Sequence, residues 1–521
     1  MRPPPVLIVG AGPTGLVLAI ELARRGVPFH LIDKRPAPLH WDRASVIKSR
    51  SLEIFDALGL SAAFLSRAKK IRGADFYGGG ARRASFRFDE VASPFPFTLG
   101  LSESVTEALL TDELVRLGGH VERGVEFANL RIDERGLHVH LRSGAGVRSQ
   151  PASWIVGTDG YHSSVREAAG IAFIGHDYER RWGVVDVHLA DWPHDHDVAA
   201  VMFDPPLIPV PINDGKWRIN FRPNDDNPVP IARIEQWLQQ IAPGATVAEA
   251  DQPQFFRTHF RIAERFRAGP VLLAGDAAHA CSSIEGHGMN AGIQDAFNLG
   301  WKLALVATGQ ASETLLDSYD IERRGIAEAV GVSGDSAEEN AARGGPEAIH
   351  VVGEALSTAD GRLKAALAES EIGLGYEASP LLEHDCPAPS PTATRVGYRV
   401  GEAAPLVSRS SSTRLHQLLA HTAHTLILLT DEAEATADDW QLMRELERRR
   451  APHLRALVVT RQAAVPNLNP ERTFTDATGA AHAILGEGHY PCLCVVRPDG
   501  HLGHRGTTPA GVEAYLARIL A

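Results

Sequence analysis

The 521-residue sequence predicts an α/β fold that opens on a parallel sheet, takes up an inserted antiparallel sheet and ends in a second α/β domain. Three observations predict it. Val6 to Val9 is an apolar run closed by Gly10, followed by helical apolar spacing from Leu16 to Arg25 and a second apolar run from Phe29 to Ile32, a β-α-β unit. From about Phe173 to Phe266, short runs are separated by Pro, Asp, Asn and Gly, the pattern of antiparallel strands. The Pro387-Ala-Pro-Ser-Pro391 run then breaks the chain, because alternating prolines hold an extended spacer, and strands alternate with helices again beyond it.

In chain order, the stretch from Ile71 to Thr98 is rich in Gly, Arg and aromatic residues without helical period, and is expected to be a short β excursion of the first domain. Ser104 to Leu117 returns to a helix. Leu137 to Leu141 and Trp154 to Val156 read as strands. The inserted sheet is expected from Val184 to Leu189, Ala199 to Phe203, Ile208 to Ile212 and Lys216 to Phe221. Val271 to Ala274 is again a buried strand, Gly292 to Gly309 a long helix, and helical segments are expected to about Glu383. Strands at Thr425 to Leu429, Ala456 to Thr460 and Cys492 to Val496, with helices at Trp440 to Arg450 and Gly511 to Leu520, complete the chain. The expected division is 1–172, an inserted antiparallel sheet 173–266, a return to the first domain 267–386, a linker 387–394 and a last domain 395–521.

Hydrophobic residues make up 44% and charged residues 22%, so the chain can bury a large core. Asp and Glu outnumber Lys and Arg by 64 to 52 with no basic block, which argues against a nucleic-acid partner. Cys281, Cys386, Cys492 and Cys494 are too few and scattered for a disulfide framework, and no C-x-x-C pair exists, so a reducing cytoplasm is expected. Val6 to Ala23 lacks charge until Glu21, but its glycines and proline mark a loop and helix rather than a spanning segment, and no membrane partner is expected. No His, Cys or Asp spacing suits a metal.

Gly10-Ala11-Gly12-Pro13-Thr14-Gly15 is a G-x-G-x-x-G set between a strand and a helix. The first glycine permits the tight turn, the second lets a pyrophosphate approach the backbone, and the third packs helix on strand. Asp33 ends the second strand, where a carboxylate can accept from ribose hydroxyls, with Lys34 and Arg35 beside it. The pattern leaves NAD and FAD open.

Two later motifs bear on that choice. Gly157-Thr-Asp159-Gly160, followed by Ser163-Ser-Val-Arg166, resembles the Asp-Gly motif of flavin-dependent aromatic hydroxylases. Gly275-Asp276-Ala277-Ala278-His279, continuing through Gly286-His-Gly288-Met289-Asn290 to Asp295, Asn298, Trp301 and Lys302, resembles the second FAD fingerprint of the same family. The resemblance implies a glutathione-reductase-type, Rossmann-like FAD domain. Asp276 would meet ribityl or ribose hydroxyls, and amides around Gly288, Met289 and Asn290 would begin a helix whose positive end faces the flavin. Arg43 and Ala44, and more weakly Arg50, match the segment in which an Arg contacts the cofactor. Glu103, four residues before Glu107, stands where many relatives have Gln.

Departures cluster beside the expected flavin ring, where Ser283, Glu285 and His287 replace the family's Pro, Gly and Gln. Glu285 and His287 are the ionisable candidates for a catalytic base, although an outward-facing polar loop accounts for them equally, and no base is assigned. Alternation in Lys216 to Arg222 puts Trp217, Ile219 and Phe221 on one face, which would line an aromatic pocket or simply fill a core. The C-terminal region resembles the thioredoxin-like module appended to phenol, hydroxyphenylpropionate and polyketide hydroxylases, through its strand and helix order, Tyr490-Pro491 and Val496-Arg497-Pro498-Asp499-Gly500. Cys492 and Cys494 read there as buried small hydrophobes.

The resemblance implies a single-component FAD monooxygenase of phenolic or other electron-rich aromatic compounds. NADPH or NADH would reduce the flavin, oxygen would add at its C4a atom, and the hydroperoxide would pass one oxygen to the ring. A homodimer is open. Two alternatives stand beside it: another FAD enzyme on the same scaffold, or a flavin-binding protein that sequesters an aromatic intermediate without turnover.

Overall fold

The computed structural model describes residues 4–38, 44–223, 227–282, 286–384, 393–408, 411–430, 437–461, 471–486 and 491–520. Val6–Val9 pairs in parallel with Phe29–Asp33 on one side and Ile155–Gly157 on the other. Val271–Leu273 and Arg267–Ala268 extend the sheet beyond Ile155–Gly157, and Val121–Arg123 closes the opposite edge, giving six strands. All four residues of Val6–Val9 are buried, as an unbroken apolar run in a parallel sheet requires. The helix Pro13–Arg24 packs against the long helix His287–Ala307. A Cβ on Gly300 would lie 2.6 Å from Glu21 Cβ, so the glycine sets how closely these helices approach.

The inserted sheet has nine strands. Phe173–Ala190 is its spine, paired antiparallel with Gln254–Ala263 on one edge and Trp217–Phe221 on the other. The order continues through Pro206–Pro211 and Ala199–Phe203 to Gly73–Gly78 and Ala81–Arg87. Within the stretch from Ile71 to Thr98, the hairpin is no excursion of the first domain: Gly73–Gly78 pairs in parallel with Ala199–Phe203 and carries it into the inserted sheet, whereas Ile71 and Thr98 pair with each other in a separate small sheet. The helix Ile231–Leu238 covers one face. Helices Asp317–Arg343, Gly345–Ala355 and Ala359–Ser370 approach the sheet through contacts with its strands. The helical run ends at Ser370 rather than near Glu383.

The last sheet has eight strands centred on His424–Thr430, which pairs in parallel with Leu454–Thr460 and antiparallel with Cys492–Val496. Leu502–Gly506 follows antiparallel to Cys492–Val496. Residues 387–392 of the expected linker lie outside the described residues. The sheet nonetheless begins before it, because Glu383–His384 pairs in parallel with Leu502–Gly506. No helix among the described residues is long and apolar enough to cross a membrane.

Candidate active site

Four loops leave the carboxyl ends of parallel strands and meet at one place, the usual ligand position of an open α/β sheet. Gly10 has φ +106°, and a Cβ there would stand 2.3 Å from the Thr158 carbonyl oxygen. Thr158 Oγ1 donates to the Val9 and Gly10 carbonyls at 2.9 and 2.8 Å, tying the loops together. A Cβ on Gly15 would meet Gly10 O at 2.0 Å, whereas one on Gly12 would find nothing nearer than Glu107 Oε1 at 3.9 Å. Two glycines thus serve packing, and Gly12 leaves bare backbone facing open space at a helix start. The Asp33 carboxylate accepts from Ala11 N–H at 2.9 Å and from Arg35 N–H at 2.8 Å. Burial raises its pKa, but bonds from Arg35 and Ala11 outweigh burial and hold the group below the usual range.

Asp159 accepts from Ser163 Oγ at 2.5 Å and Val165 N–H at 3.2 Å, so it caps the short helix Ser164–Ala168 while its loop lines the site. Burial pushes its pKa up. Arg166 donates to Ala277 O at 3.0 Å and Tyr161 O at 2.9 Å, fastening the Asp159–Gly160 loop to the Gly275–Ala277 turn. That turn is fixed from behind: Gly275 N–H donates to Asp295 Oδ2 at 2.9 Å, His279 Nε2 lies 2.6 Å from the same oxygen, and Arg323 Nε donates to Oδ1 at 2.7 Å. Burial opposes the Asp295 charge, but His279 and Arg323 prevail and hold its pKa at about 2. Asp276, one residue on, is exposed to the site.

Gly286, at φ +67°, starts the 21-residue helix His287–Ala307. A Cβ on Gly288 would have no neighbour nearer than 3.9 Å, so this helix end also presents bare amides. These loops open into one cavity of about 1370 Å³ that continues to the inserted sheet, where Phe76, Phe203, Phe255 and Trp182 line it. That exceeds the several hundred to about 1,000 Å³ of a site for one small ligand.

The FAD binding domain family matches residues 4–332. The chain belongs to this family. It is 29% identical to pentachlorophenol 4-monooxygenase of Sphingobium chlorophenolicum over 536 aligned residues, covering 98% of this chain and 97% of that one. Rifampicin monooxygenase of Streptomyces venezuelae is 33% identical over 418 residues, covering 78% and 81%. The solved structure of the flavin-dependent monooxygenase PieE in complex with FAD and substrate matches with a TM-score of 0.80 over 99% of both chains, at 22% identity, a likeness of fold. With these relatives the chain is an FAD-dependent monooxygenase of the aromatic-hydroxylase class.

The residues fit FAD. Gly10, Gly12, Pro13, Thr14, Asp33, Lys34, Arg35, Ala44, Glu103, Asp159, Gly160, Asp276, Gly286, Gly288 and Met289 all line the cavity. Gly15, Gly275 and Asn290 stand behind that lining. Asn290 accepts from Lys48 N–H at 2.9 Å and donates to Val46 O and Gly286 O at 2.8 Å, clamping the helix start to the segment before Ser49–Ala57. Arg43, Ser283 and Glu285 lie outside the described residues. Arg50 is no cofactor ligand: it donates to Asp499 O at 2.6 Å in the C-terminal domain.

Four further candidates sit elsewhere than a pocket reading requires. His287 is neither a cavity-facing base nor an outward loop residue; it is buried, its Nδ1 2.5 Å from Glu371 Oε1. Trp217, Ile219 and Phe221 face away from the cavity and are buried in a core with Ile234, Trp237 and Leu238. Their neighbour Asn220, on the other face, lines the cavity. Asp295 and Arg166 stand in the motifs without an assigned role, and Arg323 in none of those quoted; their spacing to the Gly275 turn comes only from the fold. Lys48 and Glu369 also line the cavity, and no sequence pattern joins them.

Proposed function

We propose that the chain inserts one oxygen atom of O2 into a phenolic or other electron-rich aromatic compound, with NADPH or NADH as electron donor. The observation that carries this is the continuity of one cavity, bare glycine backbone and Asp33 at one end and aromatic rings at the other. Bound FAD would supply the redox chemistry, taking electrons from the nicotinamide and activating oxygen. The amides around Gly12 and Pro13 would hold its pyrophosphate, Asp33 would fix the adenosine side, and Asp276 with the Gly288 and Met289 amides would receive the ribityl and flavin portions. The apolar wall excludes water and orients a flat substrate.

The middle sheet serves on this reading as the substrate-binding part of a glutathione-reductase-type architecture. The C-terminal domain is read as thioredoxin-like, supported by its parallel pair His424–Thr430 and Leu454–Thr460 and antiparallel pair Cys492–Val496 and Leu502–Gly506. Cys492 and Cys494 are buried with their sulfurs 3.9 Å apart, which supports a structural role over thiol exchange. A cytoplasmic setting accords with these free thiols.

The test is a visible spectrum of the purified protein, followed by NADPH oxidation with a panel of phenols while hydrogen peroxide and product mass are assayed. Bound flavin, ligand-stimulated oxidation and a product heavier by one oxygen are expected. Flavin that turns over only to peroxide with every phenol overturns the phenolic-substrate reading.

A further inference from the structure

We propose that Glu369 and Lys48 are the proton-handling pair of this site: Glu369 takes the proton of the substrate's phenolic hydroxyl and Lys48 holds the resulting oxyanion. The inference rests on the phenolic reading above.

Lys48 precedes the helix Ser49–Ala57, and its backbone N–H is fixed on Asn290 at the cofactor-facing start of the long helix. Its ammonium donates to the Glu369 carboxylate. Both residues line the cavity; the Lys48 side chain is 1% exposed and that of Glu369 33%, so the carboxylate is the accessible member. Glu369 belongs to the helix Ala359–Ser370, which turns Ala365, Ala368 and Glu369 toward the cavity at helical spacing. The preceding helix, Gly345–Ala355, offers Val352 and Ala355 in the same way, with its C-cap Leu356 beside them. The acid therefore stands in a wall of small and apolar side chains.

Its position is set by the next turn. Glu371, at φ +58°, ends the helix and is buried, with one carboxylate oxygen 2.5 Å from His287 Nδ1 and the other accepting from Gln294 Nε2. His287 thus acts as a positioning residue, tying the end that carries Glu369 to the helix that faces the cofactor. Two contacts, Lys48 to Glu369 and His287 to Glu371, hold one helix end against the seam between the two halves of the cavity.

The step is a proton transfer. The phenolic O–H bond breaks, an O–H bond forms on Glu369, and the bonding pair stays on the substrate oxygen, where conjugation enriches the ortho and para ring carbons. Lys48 stays protonated, and its charge offsets the oxyanion in a low-dielectric wall. Among the described residues, the titratable groups facing this end from neighbouring elements are Lys48, His287 and Glu371. Asp75 and Arg87, on strands beside the same helix, pair with each other at 2.8 Å. Asp276, Glu103, Glu107 and Arg35 line the cofactor end, and Arg257 and His259 the sheet end.

The test uses the full-length, FAD-loaded protein and 4-nitrophenol, whose anion alone is yellow, titrated against pH in the bound state. In the wild type the bound probe should ionise at lower pH than the free probe. K48M should cut the bound phenolate fraction about tenfold at a given pH, one unit toward the free probe; E369Q, which leaves the Lys48 charge without its carboxylate, should keep the phenolate fraction at or above the wild-type value but slow the appearance of the bound yellow anion after stopped-flow mixing by about tenfold or more, and E369D should restore part of that rate. K48M/E369Q removes both charges together and keeps the test open if a lone buried ammonium prevents folding. A K48M midpoint equal to that of the wild type overturns the proposal, as does an E369Q rate of anion appearance equal to the wild-type rate or a wild type that does not bind the probe. Product formation is scored separately: a shifted probe without hydroxylated product would sink the function and support the pair, and turnover with unshifted variants would do the reverse.

Discussion

Arg497 lays its two terminal nitrogens on the two carboxylate oxygens of Glu322 at 2.7 and 2.8 Å, and neither side chain reaches solvent. Lys302 Nζ donates to the same carboxylate at 2.6 Å, and Trp301 Nε1 and Arg50 donate to Asp499 Oδ2 and O at 3.2 and 2.6 Å. The Val496-Arg497-Pro498-Asp499-Gly500 turn is thus a plug that seats the C-terminal domain on the helices behind the FAD loops. Burial alone would raise the Glu322 pKa; Arg497 and Lys302 together hold it well below the carboxylate range.

Removing Arg497 should therefore unseat more than its own domain. R497A leaves Glu322 and Asp499 buried with their charge less compensated, and breaking a pair of this kind costs roughly 3–5 kcal/mol. Thermal unfolding should show that loss. A stability change within about 0.5 kcal/mol, the range of ordinary surface substitutions, would contradict the plug.

Local pattern explains what was legible. The Val6–Val9 strand, the glycine turn and the following helix are adjacent in sequence, so periodicity and turn chemistry were enough to read them. The hairpin Gly73–Arg87 joins strand Ala199–Phe203 across more than a hundred residues, and no local signal announces that pairing. Alternation correctly put Trp217, Ile219 and Phe221 on one face but could not say which face met the cavity, because the other is closed by Ile231–Leu238. His287 with Glu371 and Lys48 with Glu369 are separated by 84 and 321 positions, beyond any motif.

The glycine loop separates folding from binding at two neighbouring positions. G10A places a Cβ 2.3 Å from a backbone oxygen at φ +106° and should destabilise the fold. G12A meets no protein atom nearer than 3.9 Å and should leave the melting temperature of the flavin-free protein unchanged while weakening FAD retention at least about tenfold, roughly 1.4 kcal/mol. Fluorescence titration of stripped protein with FAD reads the difference. Wild-type FAD affinity in G12A would remove the pyrophosphate from this loop.

Alkaline pH should loosen the domain contact through His416. Its Nε2 lies 2.8 Å from Asp56 Oδ2 on the helix Ser49–Ala57, and its Nδ1 meets Glu402. Burial alone would lower its pKa, but the two carboxylates outweigh burial and raise it to about 9 from an ordinary 6.5. Because the folded value is the higher one, folding binds the proton more tightly. The stabilisation is complete below about pH 6.5 and disappears as pH rises through about 9, with an upper bound of about 3 kcal/mol. Lys302 acts in the opposite sense: burial lowers its pKa to about 8, so its contribution improves with pH above that value. Subtracting the stability profile of H416Q from that of the wild type cancels the lysine. The difference should fall between pH 6.5 and 9; a flat difference would show that folding does not raise the His416 pKa.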